Sequence, residues 1–241
     1  EKKDMFKRRK IINENKAVAG IVVALLLIGL FFTGLGIVQS VYVPDWMRQK
    51  ESEHMEDVTN QFTQLKFAID TACMSEQKNA GISSSITLGS KEMPYLTSAR
   101  AYGSLNINPN DGRIVFNNTI GIKKSYLLGN IIYNSQNAYY LNQDLVYENG
   151  AIILSQQKND SIHIHPDFYV LLNGNLTFNV VQLIPNANKT SASGYGSYPI
   201  RVKFSKSESV VLRSLKNITI YSSYANIWKK FFNNTFTKYS I

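Results

Sequence analysis

Ala17-Val18-Ala19-Gly20-Ile21-Val22-Val23-Ala24-Leu25-Leu26-Leu27-Ile28-Gly29-Leu30-Phe31-Phe32-Thr33-Gly34-Leu35-Gly36-Ile37-Val38 is a run of 22 residues without a charge. As a helix rising about 1.5 Å per residue, it covers the ~30 Å hydrocarbon core of a bilayer. All of its faces are apolar, and a chain of 241 residues is too small to bury such a helix within itself. The stretch therefore predicts a membrane-spanning helix over residues 17–43. It is longer than the apolar region of a usual secretory signal, and no small-x-small cleavage site follows in good context. Gly20 and Ala24 form one small-xxx-small pair, a weak signal for close helix packing.

The flanks predict an orientation. Residues 1–16 form a tail in which Lys2, Lys3, Lys7, Arg8, Arg9, Lys10 and Lys16 outnumber Glu1, Asp4 and Glu14. Asp45 through Asp57 mix signs and lean acidic. Cationic loops stay on the cytoplasmic side, so the tail is expected inside and everything after Val43 outside. Tyr42 and Trp46 stand where interfacial aromatics belong.

Beyond Pro44 the pattern narrows to a seam. Met55, Val58, Phe62, Leu65, Ile69 and Ala72 recur at helical spacing between polar residues. They predict an amphipathic helix continuing the span over 44–80, restarted or kinked at Pro44 and ended by Gly81. A seam this short is expected to pack on its own domain rather than to form an independent coiled coil. Cys73, the single cysteine, cannot form an internal disulfide and is expected to be buried.

After Gly81 the period shortens. Strands are expected at 83–88, 99–107, 113–116, 129–133, 138–141, 151–155, 168–172, 176–183, 200–204 and 217–221. Asn108-Pro109-Asn110-Asp111-Gly112, Glu148-Asn149-Gly150, Asn173-Gly174-Asn175 and Ser193-Gly194-Tyr195-Gly196-Ser197 read as turns. Ile227, Trp228, Phe231, Phe232 and Phe236 predict a short terminal helix covering one end of the sheet. The expected class is α+β. A long N-terminal helix, membrane-spanning and then amphipathic, precedes an antiparallel β-sandwich or jelly-roll-like domain over 81–241, which ends in a short C-terminal helix.

No catalytic constellation is legible. G-x-S-x-G, the P-loop and H-E-x-x-H are all missing from the sequence. His163 and His165 would share a face of a strand, but only Asp160 and Asp167 accompany them, so no metal site is assigned. The net charge of +9 is partly the N-terminal tail, and the β region has no basic run with interleaved aromatics, so nucleic acid is not an expected partner. Asn117, Asn159, Asn175, Asn188, Asn217 and Asn233 each open an N-x-[ST] sequon on the side expected to lie outside.

Basic tail, long apolar helix, amphipathic continuation and β domain follow one another in the order of a type IV pilin subunit. The chain resembles archaeal pilin-like proteins in particular, including an uncharacterised membrane-anchored group common in methanogens. The resemblance is carried by Lys16-Ala17-Val18-Ala19-Gly20, Tyr42-Val43-Pro44-Asp45-Trp46, Phe62-x-x-Leu65-Lys66 and Ser193-Gly194-Tyr195-Gly196-x-Tyr198-Pro199-Ile200. It implies removal of the tail by cleavage between Lys16 and Ala17, and packing of the apolar helices in a filament core. Gly20 and Ile21 stand where many pilins carry an early carboxylate, and no glycine precedes the implied cut. The expected function is a non-enzymatic, pilin-like structural or adhesion protein of the cell surface. The alternative is a monomeric, membrane-anchored module binding a glycan or envelope polymer through Tyr133, Tyr139 and Tyr140. The expected partners are the membrane and like subunits or other envelope proteins. No cofactor or small-molecule substrate is expected.

Overall fold

The computed structural model describes residues 2–92, 97, 99–157, 159–171, 175–185 and 189–239, with side chains from Val18 to Lys238. The architecture is α+β: one long N-terminal helical rod, antiparallel strands in four sheets, and a C-terminal helix.

The rod has three parts. Helix α1 (Lys2–Ile37) and helix α2 (Val43–Ser75) are joined by a π-helical turn, Val38–Tyr42, in which the Val43 N–H reaches back to the Val38 carbonyl. Pro44 lies in the first turn of α2. A proline has no N–H to donate one turn back, and its ring crowds the carbonyl there. One extra residue in the turn relieves that conflict without breaking the rod. Helix α2 stops at Ser75, short of Gly81, because Glu76 takes a left-handed conformation (φ 52°).

Thirteen strands follow among the described residues. They are β1 (Gly81–Thr87), β2 (Tyr102–Asn108), β3 (Arg113–Asn118), β4 (Lys123–Leu127), β5 (Asn130–Gln136), β6 (Asp144–Glu148), β7 (Ala151–Gln156), β8 (Asn159–Ile164), β9 (Phe168–Val170), β10 (Leu176–Phe178), β11 (Ser191–Gly194), β12 (Ser197–Lys203) and β13 (Leu215–Tyr221). Helix α3 (Ala225–Tyr239) closes the chain. The largest sheet runs β11-β2-β5-β6-β7-β8, with β5 to β8 a simple meander. The β1–β12 pair, the β9–β10 pair and the β13-β3-β4 sheet stand beside it. The β6–β7 hairpin turns on Asn149 and Gly150, both at positive φ, with Glu148 opposite Ala151. That is the two-residue turn that an Asn-Gly pair favours.

Alternation along the six-stranded sheet builds two cores. Leu145, Tyr147 and Ile152 face α2, where they pack with Met55, Val58, Phe62, Leu65 and Ile69. Val146, Ala151 and Ile153 point the other way, onto Ile227 and Trp228 of α3. The sheet is thus covered by a helix on each face. A smaller core of Ile114, Phe116 and Leu128 supports the β13-β3-β4 sheet.

Three expectations are corrected. Residues 138–141 are not a strand, because the backbone N–H groups of Ala138, Tyr139 and Tyr140 bind a carboxylate of α2 instead of a neighbouring strand. The stretch 176–183 is strand only as far as Phe178. Cys73 is exposed: it follows Ala72, the last seam residue, and one helical step of about 100° turns it off the buried stripe. Four strands carried too weak an apolar alternation to be expected: β4, β6, β8 and β11.

Candidate functional site

From Val18 to Ile37 every residue is exposed, on all faces of α1. Leu26, Leu30, Phe31 and Phe32 are among the large side chains left uncovered. Among the described residues, one helix is therefore long and apolar enough to cross a membrane. The exposure ends abruptly. Val43 and Met47 are 4 % and 0 % exposed, so tertiary cover from the β domain begins at the first residue of α2. Tyr42 and Trp46 remain on the open side of the rod, their rings 5.9 Å apart.

The domain side of α2 carries more than apolar contacts. The buried stripe, extended toward the N-terminus, runs through Glu51, one turn before Met55. The Glu51 carboxylate is fully buried and accepts three backbone N–H groups, from Ala138 (3.0 Å), Tyr139 (2.7 Å) and Tyr140 (2.7 Å). Three donors converging on one carboxylate offset its desolvation and pin the 137–142 loop to the helix. The loop is also closed internally, by Asn137 N–H on Asn142 Oδ1 (2.7 Å) and Asn137 Nδ2 on the Leu141 carbonyl (2.7 Å). A glutamate on an apolar seam was the signal in the sequence, and its partners were not legible there.

Next on the stripe is His54, whose Nε2 lies 3.1 Å from the Tyr133 hydroxyl. Tyr133 donates to the Leu88 carbonyl at 2.8 Å. Burial lowers the His54 pKa and pushes Tyr133 well up, so both stay neutral near neutral pH. Gly103 sits against this pair. A Cβ there would lie 2.6 Å from the Tyr133 ring, which explains the glycine. Tyr133 is wholly buried and presents nothing to a ligand, which corrects its place among surface tyrosines; Tyr139 and Tyr140 are half-buried.

A second buried carboxylate holds α3. Glu148 accepts Trp228 Nε1–H at 2.6 Å and the Ser222 hydroxyl at 2.7 Å. Burial raises its pKa against the opposing effect of these donors. Farther along α2, Lys66 pairs with Asp70 (2.7 Å) and lies 3.6 Å from Asp167. Desolvation raises the Asp70 pKa, and partial desolvation with the nearby Asp70 and Asp167 charges raises that of Cys73. A raised thiol pKa is the opposite of what a nucleophilic cysteine needs.

The remaining sequence candidates do not converge on one site. The seam residues Met55, Val58, Phe62, Leu65, Ile69 and Ala72 are all buried against the protein's own domain. His163 and His165 are exposed at the β8 edge, and the His165 ring lies 5.5 Å from Phe231. Among the described residues, no three His, Cys, Asp or Glu side chains converge as a metal site. Asn117 and Asn217 face each other across β3 and β13, with Asn117 Nδ2 donating to Asn217 Oδ1 at 2.7 Å. Asn159, Asn175 and Asn233 are exposed, whereas Asn188 lies outside the described residues. Lys16 and Ala17 lie within α1, ahead of the described side chains.

Shallow grooves open on the described part of the domain. A polar one is lined by Ser104, Asn106, Lys189, Ser191, Ser193 and Tyr198. A more apolar one runs between β13 and α3, past Ile218, Trp228, Phe232 and Phe236. Neither collects the buried titratable groups described above. Compared with family models, curated proteins and solved structures, the chain matches none of them.

Proposed function

We propose that the protein is a non-enzymatic, pilin-like component of the cell surface. Helix α1 holds it in the membrane or in the helical core of an assembly, and residues beyond Val43 stand outside the cell. One observation carries the reading: a single rod changes within one turn from an apolar helix exposed on every face to an amphipathic helix covered by its own domain. Such a helix needs an apolar environment that the rest of the chain does not supply. The cationic residues of the first half of α1, ahead of Ala17, favour the orientation. The buried titratable groups Glu51, Glu148 and His54 are each used up in holding one element to another, which favours a structural role over a chemical one.

The test is the mature N terminus of the full chain produced in an archaeal host, read by mass spectrometry, with filaments sought by sedimentation and electron microscopy. A start at Ala17 together with sedimenting filaments is the expected result. An intact tail on a dispersed detergent particle would replace it with a plain membrane anchor.

A further inference from the structure

We propose that Lys66 and Asp167 become joined by an isopeptide bond once the chain has folded, with Asp70 carrying the protons. The bond ties the C-terminal half of α2 covalently to the turn between β8 and β9. It does not depend on the reading of α1 as a membrane span.

The geometry brings one cation to two carboxylates. Lys66 follows Leu65 on the buried stripe of α2 and is only 8 % exposed. Lysine is almost never buried unless it is paired. Its Nζ lies 2.7 Å from Asp70 Oδ2 and 3.6 Å from Asp167 Oδ1. A lysine followed by an acid four residues on is the weaker of the two helical orders, so helix stability alone does not account for Asp70. Asp167 is presented from a fixed turn. Its carbonyl accepts the Asn179 N–H at 3.2 Å, and the Phe168 N–H closes onto the Pro166 carbonyl at 2.9 Å. Leu65, Ile69 and Tyr147 make the surroundings apolar. Tyr147 is wholly buried, its hydroxyl has no hydrogen-bond partner, and the Asp70 charge adds to burial in raising its pKa.

Two effects favour condensation at such a place. Burying an ion pair costs desolvation of both partners, and a neutral amide removes both charges. Groups fixed at contact distance also react with effective molarities of ~10⁵–10⁸ M, and 3.6 Å lies just outside the ~3–3.5 Å of a near-attack contact. Asp70 takes one proton from the Lys66 ammonium, and burial, which raises its pKa, helps it to do so. The freed nitrogen lone pair attacks Cγ of Asp167. As the N–C bond forms, one Cγ–Oδ bond breaks. The leaving oxygen collects two of the three ammonium protons, one of them by way of Asp70, and departs as water. Ammonium and carboxylate thus give amide and water, and Asp70 ends as it began. The Asp167 side chain is 35 % exposed, so the water has a way out.

The test is mass spectrometry of the full chain purified in detergent, first intact and then after denaturation and digestion. The expected mass is one water below that of the sequence, counted from whichever N terminus the chain carries, with a branched peptide joining residues 66 and 167. Lys66→Arg removes the nucleophile and Asp167→Ala its target. Asp70→Asn keeps a hydrogen-bond acceptor for Lys66 but carries no proton. All three variants are expected at their full masses. Residues 66 and 167 recovered from the parent in separate linear peptides would overturn the proposal, and that outcome depends on no variant folding. A branch from Lys66 to Asp70 would overturn it as well. So would loss of one water without any branch, as from a cyclic imide at Asp111-Gly112. A branched peptide that persists in Asp70→Asn would overturn the part given to Asp70.

Discussion

Glu51 and Glu148 do at the residue scale what no apolar side chain could. Each is a buried carboxylate whose ligands belong to a distant part of the chain, so each ties two elements together in one geometry. Replacing Glu51 with alanine leaves three part-buried N–H groups without their acceptor. The expected loss is about 2–4 kcal/mol, measured by urea unfolding of the detergent-solubilised chain. A loss below about 0.5 kcal/mol would mean that the loop holds itself. Glu148 predicts a pH dependence. Its folded pKa is raised by burial, so the folded state keeps a proton that the unfolded chain has released. Its contribution to stability is full below the ordinary value of 4.5 and is lost as pH rises through the raised value. Asp70 and Asp144 are shifted in the same direction. Glu148→Gln keeps an acceptor for Trp228 and removes the titration, so unfolding midpoints should fall less steeply from about pH 4.5 upward than in the parent. An unchanged slope would assign the effect to the two aspartates.

Helix α2 makes the element-scale argument, because its two faces differ so sharply. Phe62 is fully buried in the main core, while Phe67, five residues on, is 72 % exposed. Phe62→Ala is expected to cost about 3–5 kcal/mol, through lost transfer energy and the cavity left behind. Phe67→Ala should stay within about 0.5 kcal/mol. Comparable losses at both sites would show that the exposed face is covered in the native assembly, which would itself support packing between subunits. Much of this was readable in the sequence. Met55, Val58, Phe62, Leu65, Ile69 and Ala72 mark the buried stripe by spacing alone, since helical period and apolar character are local properties. The strands were less legible. In β8 and β11 polar residues alternate with half-buried ones, and only their neighbours in the sheet make them strands. Residues 138–141 erred the other way: Ala-Tyr-Tyr-Leu has strand composition, but its first three N–H groups are taken by Glu51 from eighty-seven to eighty-nine residues away.

At the scale of the whole molecule, one half of the rod is exposed on every face and the other half is covered by the domain. A chain beginning at Tyr42 keeps all of α2, the three cores and both buried carboxylates. It is expected to be a monodisperse, cooperatively unfolding protein without detergent, whereas the full chain should need detergent or lipid. Size-exclusion chromatography and a thermal melt of the two chains decide this. Aggregation of the shorter chain would show that α1 contributes to the fold of the domain. The uncharged run from Ala17 to Val38, the seam of α2, the Asn149-Gly150 hairpin and the aromatic terminal helix were all determined by the sequence itself. Each depends on hydropathy, period or backbone preference within a few neighbouring residues. The pairing of β11 with β2 across the chain, the place of Tyr133 inside the core, the exposure of Cys73 and the two buried carboxylates were decided only by tertiary structure. The reason is physical: whether a polar group can be buried depends on partners that loop closure brings from far along the chain, and no local pattern records which partners arrive.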